Sequence, residues 1–328
     1  MSGSVEQFSA FQEKRRATPA DYVAITRLDH STKHIFVLPG IMLAFLLRGG
    51  HAFQIRGAVL ALVALVCIAS ANYAINEWLD RDFDRHHPTK SQRCGVLREL
   101  RPNIVMLEWL LLVVTGLTCA FLQSTTMLFV ASVFAAQGIL YNVRPMRTKE
   151  RPFLDVISES LNNPLRLMIG WAIVDPTTLP PSSVLLSYWC GGAFLMAAKR
   201  LSEYREIAAS RGRDVLIRYR ASFAGYSEIS LTVSCFAYGL LSSFFLAVFL
   251  IKYRIEYLLL MPLITILFAQ YLAIAMGPAS TAQNPEKLFR ERGLIVTVVL
   301  LAIAFGLTTF INIPVLGSLA EQQFITIR

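Results

Sequence analysis

Nine stretches of this chain are long and apolar enough to cross a bilayer, or nearly so, and that limits the fold more than any other feature. A spanning helix needs roughly 20 apolar residues to cross about 30 Å of hydrocarbon. The stretches lie near residues 34–48, 55–79, 103–122, 126–143, 153–174, 183–202, 228–251, 255–276 and 294–313, the first and fourth being short. Apolar residues make up 55% of the 328 and charged ones 16%, and the mean hydropathy is +0.51, which excludes a soluble globular domain. The length excludes a transporter of twelve spans. Met1 to Asp21 is polar and charged, with no apolar core of a cleavable signal peptide, and is expected at the membrane surface. The expected fold class is all-α: a polytopic integral membrane protein of nine transmembrane helices. Residues 1–33 form an interfacial segment, 34–313 one membrane domain and 314–328 a short tail, with no linker long enough to divide off a soluble domain.

Thirty-one Lys and Arg face 22 Asp and Glu, a formal charge of +9. In a soluble protein that excess would suggest nucleic acid, but in a membrane protein it is first a topology signal. Between the nine spans, alternate loops carry 5, 6, 4, 7 and 3 basic residues, 25 in all. The other side carries only Arg48, Arg56, Lys252, Arg254 and Arg328, and Arg166 lies inside span five. One missed span in mid-chain would scramble this alternation. The N-terminus is therefore expected in the cytoplasm and the C-terminus outside, in a multi-pass protein of a bacterial inner or plasma membrane, without a nucleic-acid partner. The five cysteines show no C-x-x-C spacing, so neither a zinc site nor a disulfide framework is indicated.

Span two runs into a charged segment in which Asn72, Asn76, Asp80 and Asp84 recur every four residues. At 100° per residue they drift by only about 40° per step and line one helix face. Ionised carboxylates near a bilayer are costly unless a cation neutralises them. Oxygen donors without neighbouring His or Cys ligands suit Mg²⁺, which substrate phosphates usually complete, so Asn76, Asp80 and Asp84 are candidate metal ligands. The alternative is a solvated helix end whose acids pair locally with Arg81 and Arg85. His86 and His87, just before Pro88, are expected to end the helix or contact phosphate.

Asn76-x-x-x-Asp80-x-x-x-Asp84 at the cytoplasmic end of span two resembles the first signature of the UbiA superfamily of membrane prenyltransferases, and the resemblance covers most of the chain. Tyr141 to Pro152, with Arg147 and Lys149, is similar to the family's loop after span four. Within the superfamily, His87-Pro88-x-Lys90-x-x-Arg93 and Lys199-Arg200-x-x-Glu203 resemble the decaprenyl-phosphate phosphoribosyltransferase branch. That resemblance implies a UbiA-like fold around a cytoplasm-facing polar cavity, Mg²⁺ as cofactor, phosphoribosyl pyrophosphate as donor and a polyprenyl phosphate as acceptor. Two departures stand out: the usual Asn-Asp pair reads Asn76-Glu77, and Arg93 is followed by Cys94-Gly95 where Pro is expected.

Other clusters extend the candidate site. Lys199 and Glu203 stand at i and i+4 with Arg200 between them; their cations can hold phosphate while Glu203 orients Lys199 or binds a second Mg²⁺. The plainer reading is a helix salt bridge. Glu159, Asn162, Asn163 and Arg166 form a polar stripe in span five. Arg166 is expected on donor phosphate, the alternative being a buried Glu159 to Arg166 pair that fixes packing. Arg147 and Lys149 are candidate phosphate ligands and also belong to a positive-inside loop. Arg27 and Lys33, at headgroup depth, could receive the phosphate of a lipid acceptor or anchor to anionic lipid. Arg205 to Tyr226 could cap the site or lie on the membrane.

Taken together, Asp80, Asp84, Lys199 and Glu203 are the candidate catalytic residues. Asn76, Lys90, Arg93, Tyr141, Arg147, Lys149, Arg166, Arg200, Arg27 and Lys33 are candidates for substrate binding. Expected partners are a polyprenyl lipid, a phosphorylated or diphosphate donor, membrane lipids and a second copy of the chain. The alternative activity keeps the fold and metal site but moves a prenyl group from its diphosphate to an aromatic or other small acceptor. A transporter would carry internal repeats with broken helices near mid-membrane, and no convincing repeat is visible.

Overall fold

The computed structural model describes residues 15–49, 53–85, 90–277, 280–283, 288 and 290–319, with side chains for all but 29–33 and 211. The helices in chain order are α1 Pro19–Ile25, α2 Leu38–Arg48, α3 Ile55–Asp84, α4 Cys94–Leu97, α5 Pro102–Gln123, α6 Thr125–Asn142 and α7 Leu154–Ser160. They continue as α8 Asn162–Val174, α9 Ser182–Arg211, α10 Arg213–Tyr219, α11 Glu228–Tyr253, α12 Met261–Met276, α13 Arg292–Phe310 and α14 Pro314–Leu319. Among the described residues the only sheet is a two-residue parallel pairing of β1 Arg15–Arg16 with β2 Arg98–Glu99, so the chain is all-helical in class.

Among the described residues six helices are long and apolar enough to cross a membrane: Ile55–Asp84, Pro102–Gln123, Thr125–Asn142, Glu228–Tyr253, Ile255–Met276 and Arg292–Phe310. The other three expected spans look different. The first is α2, eleven residues or about 16 Å of α-helix, preceded by a 3₁₀ stretch Leu28–Val37. The fifth is interrupted at Leu161 between α7 and α8. Pro164 has no N–H to donate to the carbonyl of Ser160, so the two helices cannot share an unbroken ladder. The stripe from Glu159 to Arg166 is therefore not carried by one continuous helix. The sixth, α9, continues to Arg211, well past the expected end at residue 202, and stops at Gly212 with φ +86°.

The helices group into two compact units. Unit 1 takes residues 1–150, Leu165–Leu179 and Ile217–Ala221; unit 2 takes Arg151–Pro164, Pro180–Leu216 and Ser222–Arg328.

In unit 1, α3 packs along α5 and α6. Ile25, Ala74, Leu100 and Val105 form a buried cluster that joins α1 to the start of α5. The two glycines Gly40 and Gly170 let α2 and α8 meet backbone to backbone. A Cβ at position 40 would lie 2.0 Å from the Leu167 carbonyl oxygen, and one at 170 would lie 2.1 Å from that of Val37. Close approach through small residues is how helices associate where lipid supplies no hydrophobic drive. Gly170→Val is expected to cost about 1–3 kcal/mol, read as a lower Tm in detergent. An unchanged Tm would show that this contact does not form.

In unit 2, α9 packs along α11, and the Ser187 and Ser242 hydroxyls each donate to the other residue's carbonyl at 2.9 Å. α7 lies against α9, and the Trp189 indole donates to the Ile157 carbonyl at 2.9 Å. Arg254, which caps α11, donates to the Ile311 carbonyl at 2.9 Å and to Asn312 Oδ1 at 2.7 Å.

Candidate functional site

The face of α3 predicted from the four-residue spacing is present in unit 1, and every member has a partner there. Asn72 Nδ2 donates to the Phe134 carbonyl at 2.9 Å, and Asn76 Nδ2 donates to Asn142 Oδ1 at 2.6 Å. Asp80 Oδ1 lies 3.0 Å from Arg147 Nη2 and 2.5 Å from Lys149 Nζ. Asp84, 4% exposed, is ion-paired with Arg93. Local pairing does occur, but it falls on Asp82, off the row: Arg85 Nη2 is 2.5 Å from Asp82 and Arg81 Nε 3.9 Å.

Asn142, given no role in the sequence reading, joins the motif to the next loop. Its Oδ1 also accepts from Lys149 Nζ at 2.7 Å, and its own Nδ2 donates to the Gly138 carbonyl at 2.9 Å. Lys149 is 4% exposed, and that burial pushes its ammonium down to about 8, against the attraction of Asp80 and with the repulsion of Arg147 and Arg220. Arg147 bridges Asp80 and Glu150 and lies 5.1 Å over the Phe83 ring.

Residues 217–221, from the stretch expected as a cap, belong to this unit. Tyr219 accepts a hydrogen bond from Lys90, whose ammonium stands 4.4 Å from the ring centroid. Arg220 Nη1 donates to Tyr141 Oη at 3.3 Å, and Lys149 lies 5.8 Å from the Tyr141 ring. The candidates Lys90 and Tyr141 are thus connected through one short segment of that stretch, and Lys149 lies beside Tyr141.

Glu77 turns out to be a structural anchor. Only 4% exposed, it pairs with Arg27 Nε at 2.7 Å and accepts the Gly95 N–H at 3.1 Å. Arg27, a candidate for a lipid acceptor's phosphate or for an anchor to anionic lipid, is directed into this pair, at φ +53°. The departures Glu77 and Cys94-Gly95 therefore belong together: the altered loop is fastened to the altered position of α3. The side chain of Lys33, and His86 and His87, lie outside the described residues.

Cys94 Sγ is 3.5 Å from the Asp21 carbonyl oxygen and from its Oδ1. Burial, then Asp21, pushes this thiol up to about 12. At pH 8 Cys94 is expected to alkylate with iodoacetamide more than a hundredfold more slowly than a free cysteine, with a rate that climbs as pH rises toward that value. Mass spectrometry of the peptide that contains Cys94 measures it, and rapid labelling of that peptide at pH 8 would contradict the buried contact.

Arg166, 6% exposed, stands 5.3 Å over the Phe134 ring in unit 1. Glu159 belongs to unit 2, where it lies 2.9 Å from Arg200 Nη2. Arg200 also meets Asp155 at 3.1 Å through Nε and Glu203 at 2.9 Å through Nη1, with 1% of the residue exposed. Glu203 thus meets Arg200 at i−3 on the same helix. Asp155, fully buried, accepts in addition from Ser222 at 3.0 Å and from Tyr226 at 2.6 Å, while Tyr226 Oη accepts the Phe153 N–H at 2.6 Å. Burial and the Asp155 charge raise the Tyr226 hydroxyl well above its ordinary range. Asp155 went unnoticed in the sequence, although it stands at i−4 from Glu159 and extends the same stripe.

Arg27, Arg147 and Phe153 are the described non-glycine residues with positive φ, and each supplies a contact to one of these clusters. Such backbone costs on the order of 1–3 kcal/mol per residue and persists where the surroundings over-determine it. Among the described residues no three His, Cys, Asp or Glu side chains gather to hold a metal ion. The donors present are two carboxylates and an amide, an oxygen set that fits Mg²⁺ only when phosphate or water oxygens complete it.

The model of the UbiA prenyltransferase family matches residues 37–292. A curated relative from Bacillus mycoides, named protoheme IX farnesyltransferase, is 26% identical over 158 residues, 47% of this chain and 48% of the relative. Protoheme IX farnesyltransferase 2 of Bacillus subtilis is 25% identical over 213 residues, 62% of this chain and 66% of the relative. The chain thus spans about half to two thirds of the length of these relatives. Among solved structures, a UbiA homolog from Archaeoglobus fulgidus bound to DMAPP and Mg²⁺ covers 89% of this chain and 100% of its own, with TM-score 0.64 and 21% identity. The same homolog bound to GPP and Mg²⁺ gives TM-score 0.64 at 20% identity. With its matched region covering more than three quarters of the sequence, the chain belongs to the UbiA prenyltransferase family.

Proposed function

We propose that this protein is a Mg²⁺-dependent intramembrane transferase that moves 5-phosphoribose from phosphoribosyl pyrophosphate to a polyprenyl phosphate. The observation that carries the reading is the charge of the unit 1 cluster. Lys90, Arg93, Arg147, Lys149 and Arg220 are set among Asp80, Asp84 and Glu150, five cations for three carboxylates. A donor bearing a 5-phosphate as well as a diphosphate, meeting an acceptor that is itself a phosphate, brings more negative charge than a prenyl diphosphate and a neutral ring.

Asn76, Asp80 and Asp84 would hold Mg²⁺ together with donor phosphate oxygens. When bound, the metal neutralises charge on the departing diphosphate. The protein's own residues do the rest. An oxygen of the acceptor phosphate attacks C1 of the ribose, and the bond from C1 to the pyrophosphate oxygen breaks, with the electron pair leaving on pyrophosphate. The nucleophile is already an anion, so no strong general base is required, and positioning and electrostatics supply the catalysis. Arg147 and Lys149, held on Asp80 in this structure, transfer to phosphate oxygens, with Asn142 keeping Lys149 in place. Lys90, Arg93 and Arg166 hold the remaining phosphate charge in unit 1, and in unit 2 Lys199 and Arg200 are further candidate phosphate ligands, with Glu203 orienting Arg200. Nine spans around a cytoplasm-facing cavity, with the N-terminus in the cytoplasm and the C-terminus outside, complete the proposal.

A second reading, prenyl transfer to an aromatic or other small acceptor, is favoured by the names of the curated relatives and by the DMAPP and GPP of the structural neighbours. Pyrophosphate release by purified protein with Mg²⁺ separates the two. Release with phosphoribosyl pyrophosphate and a polyprenyl phosphate supports the first. Release only with a prenyl diphosphate and a small acceptor overturns it in favour of the second.

A further inference from the structure

A groove of about 1000 Å³ opens on unit 1, and it shares no residue with the Asp80 cluster. Its polar rim comes from Arg16, Tyr22, Glu99 and Arg101, and its apolar wall from Ile104, Leu107 and Leu111 of α5. The rim is built by local structure. β1 holds Arg16 in register with Glu99, and the Tyr22 hydroxyl accepts the Arg101 N–H at 3.0 Å, so the segment before α1 and the start of α5 are locked together. Arg98, beside them, is ion-paired with Asp21 at 3.3 Å. Arg16 and Arg101 are both exposed, with Glu99 the one carboxylate among them, so the rim carries a net charge of +1. Glu108 lies on the wall, about 10 Å further along α5 than Arg101, with its Oε2 buried.

Ile104, Leu107 and Leu111 follow the i, i+3, i+7 spacing of one helix face, and they are 39%, 56% and 58% exposed. The wall therefore descends from the charged rim along a helix apolar enough to cross the membrane, over roughly 10 Å between residues 104 and 111.

We propose that this groove binds a single anionic phospholipid. Arg16 and Arg101 hold its phosphate as charge-assisted hydrogen-bond donors. Glu99 accepts from a headgroup hydroxyl, and one acyl chain lies along Ile104, Leu107 and Leu111. One phosphate neutralises the net charge of the rim, and basic residues beside a membrane helix attract anionic headgroups. A zwitterionic lipid leaves that charge uncompensated. The assignment does not depend on the identity of the transferase substrates.

The test uses the full chain in nanodiscs of phosphatidylcholine containing one fifth phosphatidylglycerol or one fifth phosphatidylethanolamine, followed by native mass spectrometry and a thermal melt. The wild type is expected to retain one phosphatidylglycerol per chain and to melt higher with it than in phosphatidylcholine alone. Arg16→Gln/Arg101→Gln is expected to lose at least fivefold of the retention and all of the melting shift. Because both side chains are exposed, each single variant is also read, and circular dichroism verifies the fold. Equal retention by the double variant, or equal retention of phosphatidylethanolamine by the wild type, overturns the proposal. Pyrophosphate release with Mg²⁺ is expected to be unchanged in these variants, which separates this site from the reaction.

Discussion

Asp80→Ala is expected to lower Mg²⁺-dependent pyrophosphate release on the order of 10²–10³-fold, whichever donor proves correct. Asp80 is the one carboxylate that meets both Arg147 and Lys149, so it is placed to hand two cations to an arriving diphosphate. Its removal also leaves those cations, with side chains only 8% and 5% exposed, short of a counter-charge. Burial already favours the neutral amine at Lys149, and without Asp80 it favours it further. Asp80→Asn keeps the shape and the hydrogen bonding while deleting the charge, and it should be as inactive as the alanine variant but closer to wild type in Tm. Steady-state release assays beside thermal melts separate these effects. Turnover within tenfold of wild type in Asp80→Asn would remove Asp80 from the proposed metal set.

Arg200→Met is expected to have the largest effect on stability, a loss of about 3–5 kcal/mol. Arg200 meets three carboxylates of unit 2, Asp155, Glu159 and Glu203, two of which have nearly fully buried side chains. Breaking a buried ion pair from one side costs more than the pair contributes, because the abandoned charges remain desolvated. Removing the opposing charge as well should recover much of the loss, so Arg200→Met/Asp155→Asn is expected to melt above Arg200→Met. Chemical denaturation in detergent, or a melt where unfolding is irreversible, measures the difference. A double variant no more stable than the single would show that Asp155 and Arg200 do not act on each other.

The membrane class and the α3 motif were legible because both are local. A run of about 20 apolar residues has one outcome in hydrocarbon, and a four-residue spacing places Asn76, Asp80 and Asp84 on one face wherever the helix goes. The limits of the same reasoning appear at span five. Its stripe looked continuous by spacing, but Pro164 interrupts the ladder; Glu159 meets Arg200, and Arg166 stands over the Phe134 ring. Lys199 and Glu203 have favourable i, i+4 spacing, with Arg200 between them, and two carboxylates distant in sequence, Asp155 and Glu159, join Glu203 on Arg200 because α7 lies against α9.

What tertiary structure alone decided is the set of partners. Glu77 is a departure from the motif that keeps the carboxylate, and it is the anchor for Arg27 and Gly95. Asn142 lies inside the loop similar to the family's without a role of its own there, Tyr219 and Asp155 carry no motif, and each of the three gains a contact from a residue 7, 129 and 45 positions away, respectively. Hydrophobic length and helical period are properties of neighbouring residues, so the sequence by itself determined the membrane class and the row of oxygens on α3. An ion pair depends on distance in space, and only the packing of helices brings distant charges within a few ångströms.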